Sequence, residues 1–236
     1  MTKELIIDII EWDIENWSKA IDFWTEKIDL KTTKLTCLEL GGRRGGLSLW
    51  LAINHNEVIC SDLNSPQEHA SELHEKYSCS EYIEYRSIDA TDIPFDNAFD
   101  IVVFKSILGG VSRNGKDELK KQTIDEIYKS LKPNGKLLFA ENLEASFLHM
   151  YIRKRFVKWG SRWNYLKYNE IDEVFDSFDS IQYETVGFLA AFGRTEKQRN
   201  LLSKIDHIIN PFIPKRHKYI VFGIAEKSAE AAPLDL

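Results

Sequence analysis

The residues most able to do chemistry lie in the run Leu38-Glu39-Leu40-Gly41-Gly42-Arg43-Arg44-Gly45-Gly46. It comes after an apolar, strand-like stretch (Leu35–Leu40) and precedes a helical one (Gly46–Asn54). Glycines at such a turn let the backbone approach a ligand, and the helix beyond presents unpaired N–H groups. The next strand-like run, Val58–Asp62, ends on an acid. An acid at that strand tip stands where a ribose diol can be bound. Turn and acid together point to a nucleoside-containing ligand.

Two cofactor classes use this arrangement. A nicotinamide site asks for G-x-G-x-x-G, because the second glycine admits the pyrophosphate. A pattern started at Gly41 places Arg43 at that second glycine. S-adenosylmethionine has no pyrophosphate, so the position is less restricted. Glu39, opening the loop, also suits a cationic amino-acid moiety better than a phosphate. The residues favour S-adenosylmethionine.

The surrounding elements must present these groups at one edge. Ser65-Pro66-Gln67-Glu68 reads as a capping box that opens a helix to about Tyr77. Tyr82–Ile88 is a third strand, closed by Asp89, and Phe99–Phe104 is apolar throughout, as a strand buried on both faces should be. Lys116–Ser130 has helical spacing, Leu131–Gly135 is a turn, and Lys136–Glu141 is a fifth strand. Strands alternating with helices predict parallel βαβ units with right-handed crossovers. After Glu141 the alternation breaks. Helices are expected over Ala145–Trp159, over Glu170–Phe178 and from the capping box Thr195–Gln198 to about Ile209, with strands at Tyr183–Phe188 and Lys218–Ala225.

The ordered set ELGGRRGG, CSDL, IDATDIPF, FDIVVF and LKPNGKLLF resembles the class I, Rossmann-like S-adenosylmethionine-dependent methyltransferases over roughly Thr33 to Glu141. The resemblance implies an α/β, doubly wound, mostly parallel seven-stranded sheet with an antiparallel last strand and helices on both faces. It implies that Glu39, Gly41, Gly42 and Gly45 surround the methionine part of the cofactor. Asp62 and Leu63 would meet the ribose, and Asp89 and Ala90 the adenine. Lys105 and Ser106, just after the fourth strand, would border the transferring methyl. Arg43 departs from the family's usual middle glycine and leaves the loop path open.

The segment His149–Lys167 is basic and aromatic, with Arg153, Lys154, Arg155 and Lys158 among Tyr151, Phe156 and Trp159 and no acid. The resemblance implies an acceptor-binding insertion after the fifth strand, which makes this segment the expected acceptor-side element, part of an insertion over 143–180. It suits a small-molecule, glycan or lipid-precursor acceptor, or contact with an anionic membrane. Candidates for a general base are His149, Glu141, His207 and His217; His149 is preferred because it follows the fifth strand on the acceptor side and an imidazole titrates near neutral pH. The fourth-strand exit, Phe104-Lys105-Ser106-Ile107, lacks the acid or Asn, two prolines and aromatic of enzymes that methylate nucleic-acid bases.

Composition bounds the rest. The 236 residues carry a net charge of −6 and are 43% hydrophobic, which suits a globular chain and argues against a general nucleic-acid binder. An N-terminal helical cap over 1–32, a domain over 33–227 and a flexible tail over 228–236 are expected. No apolar run reaches the roughly 18 residues of a membrane span, and acids interrupt the N-terminal apolar stretch, unlike a signal peptide. Three cysteines without CxxC spacing predict buried thiols, a reducing cytoplasm and no metal site. The oligomeric state is left open.

Overall fold

The computed structural model describes residues 1–157 and 162–229. Seven strands form one sheet: β1 (Thr36–Leu40), β2 (Glu57–Asp62), β3 (Ile83–Ser87), β4 (Phe99–Lys105), β5 (Leu131–Asn142), β6 (Ser180–Val186) and β7 (Ile220–Glu226). Their order is β3-β2-β1-β4-β5-β7-β6. Strand β7 runs antiparallel to both neighbours and the other pairings are parallel. This is the doubly wound sheet with an antiparallel last strand that the motifs imply. Residues 38 to 40 and 101 to 104 are buried on both faces, which is why FDIVVF carries no alternation.

Nine helices accompany the sheet among the described residues: α1 (Lys3–Ile10), α2 (Ile14–Lys27), α3 (Gly46–Ala52), α4 (Gln67–Lys76), α5 (Leu108–Val111), α6 (Glu118–Ser130), α7 (Phe147–Phe156), α8 (Ile171–Val174) and α9 (Glu196–Ile209). The side chains divide into two cores, one on each face of the sheet. On the first face α2 buries Trp17, Ala20, Ile21 and Trp24 at helical spacing. The Trp24 indole N–H donates to the Gly223 carbonyl at 2.9 Å, fixing α2 to β7. On the other face α6 buries Ile124 and Ile127 beside Phe175.

Several element bounds differ from the sequence reading. The Leu131–Gly135 turn is a swelling inside β5. Leu131 pairs with Phe99 and Lys136 with Ile101, so the residues between are looped out, with Asn134 left-handed at φ 63°. The Thr195–Gln198 capping box forms, each side chain bonding the other's backbone. The Ser65 box does not: Pro66 takes the cap position, and the Ser65 hydroxyl meets only the Gln67 N–H, at 3.5 Å. Expected helix 170–178 shrinks to one turn, α8. Lys158 and Trp159, expected at the end of α7, and 230–236 of the expected tail lie outside the described residues. Cys37, Cys60 and Cys79 are buried and unbridged.

Candidate cofactor and acceptor site

Crossovers from β1 run to one side of the sheet and those from β4 to the other, so a crevice opens at their carboxyl ends, the position where doubly wound folds hold ligands. Two loops border it: Gly41–Gly45 after β1, and Ser106–Ile107 after β4. Gly41 has φ 68°, and a Cβ built on it would sit 2.4 Å from Ile107 Cγ2. Only glycine serves there, both for the left-handed backbone and for the contact between the loops. Arg43 also adopts a left-handed φ, 46°. The loop therefore keeps a glycine-type path at the position where the sequence departs from the family.

Glu39 is buried, and its carboxylate faces α3. It accepts from the Leu47 N–H at 3.2 Å, the Ser48 N–H at 2.9 Å and the Ser48 hydroxyl at 2.5 Å. Burial outweighs these bonds and pushes its pKa up to about 7. A pyrophosphate would need the N–H groups that Glu39 occupies. The chemistry of this donor set thus fits a cofactor without phosphates better than a dinucleotide.

Asp62 ties the tip of β2 to the glycine turn. Its carboxylate accepts from the Arg43 N–H at 3.1 Å and the Leu63 N–H at 2.7 Å. Gly42 N–H donates to the Ser61 carbonyl at 2.7 Å, and the Gly45 carbonyl lies 2.9 Å from His74 Nε2. Asp62 is half-buried and Leu63 exposed at the crevice rim. Asp89 is exposed and accepts from the Thr91 N–H at 2.9 Å and its hydroxyl at 2.7 Å, the bonding of a turn, while Ala90 packs against the second core.

Lys105 ends β4 inside the crevice. Its ammonium donates to the Ile10 carbonyl and lies 5.6 Å from the Trp12 ring centre and 5.8 Å from that of Trp17. Burial pulls its pKa down to about 8, with Glu11 and Glu39 opposing the fall. Sequence reading missed Trp12 and Trp17 as site residues. Their only signal was the aromatic density of the N-terminal segment.

His149 lies apart from this group. It is buried in α7, with Nδ1 2.7 Å from the Ser146 hydroxyl and Nε2 2.8 Å from the Phe188 carbonyl, and its ring stacks on Phe192. Burial pushes its pKa down to about 4. With both nitrogens engaged inside the protein, it holds the 188–192 segment against α7. That is a different task from the proton acceptor expected of it.

Ser106, expected beside the transferring methyl, and Glu141, one of the candidate bases, join Asn142 in one hydrogen-bonded group. Fully buried Glu141 accepts from the Leu108 N–H at 2.7 Å and the Asn142 N–H at 2.8 Å, and Asn142 Nδ2 donates to the Ser106 hydroxyl at 2.5 Å. Glu141 thereby shapes the loop that carries Ile107. Just past β5, a cleft of about 540 Å³ is lined by Glu144, Ser146, Phe147, Met150, Tyr151 and Lys154, among others. Among the described residues no group of three or more His, Cys, Asp or Glu could hold a metal ion.

Residues 38–139 match the family described as the methyltransferase domain. No curated protein matches the chain. Solved structures with the same fold include the MccD protein, at 17% identity and TM-score 0.60 over 89% of this chain and 96% of that one. A cyclase, SpnF, is 17% identical with TM-score 0.62 over 90% of this chain and 81% of that one. The phosphoethanolamine N-methyltransferase 2 of Haemonchus contortus, solved with S-adenosylhomocysteine, is 18% identical with TM-score 0.59 over 90% of this chain and 53% of that one. The fold is the class I, Rossmann-like methyltransferase fold.

Proposed function

We propose that this chain, of which residues 38–139 match the methyltransferase-domain family, transfers a methyl group from S-adenosylmethionine to an oxygen of a small molecule or of a glycan- or lipid-linked precursor. One observation carries this reading: Asp62, the Gly41–Gly45 turn and Lys105 meet at the carboxyl edge of the sheet, while Glu39 fills the helix terminus that a pyrophosphate would use.

The cofactor would supply an electrophilic methyl on a sulfonium, whose displacement by the acceptor hydroxyl leaves a neutral thioether and releases the hydroxyl proton to solvent. The chain's share of the work is placement. Asp62 orients the ribose hydroxyls with the lone pairs left beside its two backbone bonds. Asp89 and Ala90 stand on the adenine side, and Leu63 covers the rim. Glu39 sets the first turn of α3 and through it the glycine loop. Lys105 and the tryptophans beside it close the crevice next to the methyl. Holding an acceptor in line can contribute roughly 7–11 kcal/mol. The acceptor is read into the cleft beside α7, where Lys154 and Tyr151 suit an anionic or sugar-bearing molecule, and the basic segment 149–167 suits contact with an anionic membrane. We read His149 as a positioning residue for that cleft.

The test is calorimetry with S-adenosylhomocysteine. Asp62→Ala should lose at least tenfold in affinity, consistent with loss of charge-assisted hydrogen bonds of about 1.5–3 kcal/mol. Unchanged affinity overturns the assignment. A nicotinamide-dependent reductase is the rival among enzymes. Its only Tyr-x-x-x-Lys pair, Tyr128 and Lys132, lies at the far end of the sheet, where Lys132 pairs with Asp100 at 2.8 Å. A non-catalytic cofactor-binding module is the rival outside enzymes, and SpnF bears a cyclase's name on this same fold. Cofactor binding with no labelled product from methyl-labelled cofactor across extract fractions would favour it.

A further inference from the structure

Helix α9 turns apolar side chains outward. Leu201, Ile205 and Ile208 recur at i, i+4 and i+7, and Phe212 continues the row in the turn beyond. They are exposed by 63%, 41%, 70% and 83%. Single exposed hydrophobics are ordinary, but a row of four along one side of a helix is a patch.

The exposed charges of α9 and the turn beyond it share one sign. Lys197 and Lys204 lie on the same side of α9, and Lys215 and Arg216 come after Phe212; all four are exposed. The two acids of α9 face inward. Glu196 accepts from the Asp13 and Ile14 N–H groups at 3.0 and 2.9 Å. Buried Asp206 accepts from the N–H groups of Phe188, Leu189 and Ala190. Where α9 begins, the Arg194 guanidinium lies over the Phe156 ring, 5.8 Å from its centre, and joins the patch to the exposed basic end of α7. All this occurs in a chain of net charge −6. A basic patch on an acidic chain selects an anionic surface, and exposed apolar side chains between the bases select one with an apolar layer beneath. A lipid bilayer with anionic headgroups has both properties.

We propose that α9 and the turn through Phe212 to Arg216 dock on an anionic lipid surface, with Leu201, Ile205, Ile208 and Phe212 entering the headgroup boundary. Among the described residues no helix is long and apolar enough to cross a membrane. The contact is therefore drawn in the plane of the interface. It extends the membrane contact proposed for 149–167 to a second element, and it does not depend on methyl transfer.

The experiment is co-sedimentation of the full chain, without cofactor, with vesicles of phosphatidylcholine alone or with about one third phosphatidylglycerol, a share that raises the negative surface potential. Binding is expected to the anionic vesicles and at least tenfold weaker to the neutral ones. The double variant Leu201→Glu/Ile208→Glu should lose at least tenfold, since each side chain withdraws from apolar burial. Lys204→Glu alone should lose about fivefold or more. The substituted side chains are exposed, so thermal melts should match the parent and show that the fold is kept. No binding to either vesicle, or equal binding by the double variant, overturns the proposal. So does self-association that the double variant abolishes without any vesicle binding, because a second copy of the chain is then the partner. Cofactor affinity is measured separately, so failure here leaves the methyltransferase reading standing, and the reverse.

Discussion

The Lys105 ammonium donates to the main-chain carbonyl of Ile10, so the tip of β4 and the end of α1 are held as one unit. The bond places a cation beside the edge-on pair of Trp12 and Trp17 at the carboxyl edge of the sheet. The adjacent residue of the N-terminal segment, Glu11, adds a contact with the glycine turn by pairing with Arg44 at 3.6 Å.

That bond predicts a pH effect. Lys105 has its pKa pulled from 10.5 to about 8 by burial. Between those values the unfolded chain holds a proton there that the folded chain has lost. The unfolded state binds more protons, so the Lys105 contribution to stability rises with pH from about 8 to 10.5. Relative to Lys105→Met, the parent should gain up to about 3 kcal/mol across that window. Denaturant unfolding of both proteins at about pH 7.5 and about pH 10.5, on either side of the transition, measures it. A difference that stays flat with pH removes Lys105 as a buried, titrating cation.

Arg43 predicts a stabilising substitution. An L side chain at φ 46° carries a steric cost of roughly 1–2 kcal/mol that glycine does not. Glycine's extra freedom in the unfolded chain gives back part of that. Arg43→Gly should therefore stabilise by up to about 1 kcal/mol, and Arg43→Val, branched at Cβ, should destabilise. Equal melting temperatures for all three proteins would show that the loop reshapes freely around this position.

Much of this architecture was legible because βαβ units write their signature locally. The all-apolar FDIVVF, the glycine turn and the acid at Asp62 each declare a strand, its tip or the start of the next helix. The Thr195 box declared α9 because its two partners lie three residues apart. Glu39 was harder. Its type and position in the chain are those of a ligand-facing acid, but the direction of its carboxylate depends on α3 packing beneath the loop. His149 shows the same limit. Whether an imidazole faces substrate or the protein depends on Phe188 and Phe192, far along the chain, and no local pattern contains that contact. The closure by Trp12, Trp17 and Ile10 joins the first turns of the chain to β4, again beyond the reach of periodicity. The outward row on α9 meets the same limit, because helical spacing alone cannot tell a buried side from an exposed one.

Glu141 gives a second pH effect of opposite sense. Full burial lifts its carboxyl pKa from 4.5 to about 7, against the backbone bonds from Asn142 and Leu108. In that interval the folded chain holds a proton the unfolded chain has released. Its contribution to stability is present below about 4.5 and falls as pH rises toward 7. Glu141→Gln cannot titrate, so the parent should lose up to about 3 kcal/mol relative to it between those pH values. Because Gln also turns one acceptor into a donor beside the Leu108 and Asn142 N–H groups, the variant should start out less stable. The two unfolding curves, measured across the pH range, should converge toward neutral pH. Parallel curves would mean that Glu141 stays ionised in its site.

Gly46 gives the sharpest test of how the N-terminal segment is seated. A Cβ built there would stand 2.1 Å from the Ile9 carbonyl oxygen, a backbone atom with no flexible end to swing aside. Gly46→Ala must push α1 away from the start of α3. Overpacking of this kind costs about 1–3 kcal/mol, against the roughly 1 kcal/mol that alanine returns as a better helix former. The strain falls on α1 and the Lys105–Ile10 bond, while the sheet beneath is untouched. The expected outcome is modest: a small drop in melting temperature with a large rise in protease cleavage between α1 and α2, since local opening there no longer works against a tight contact. In Gly46→Ala the Lys105 pKa should also move back toward its ordinary value, which shrinks the alkaline stability gain measured against Lys105→Met. Unchanged cleavage together with an unchanged pH response would show that α1 does not rest on Gly46.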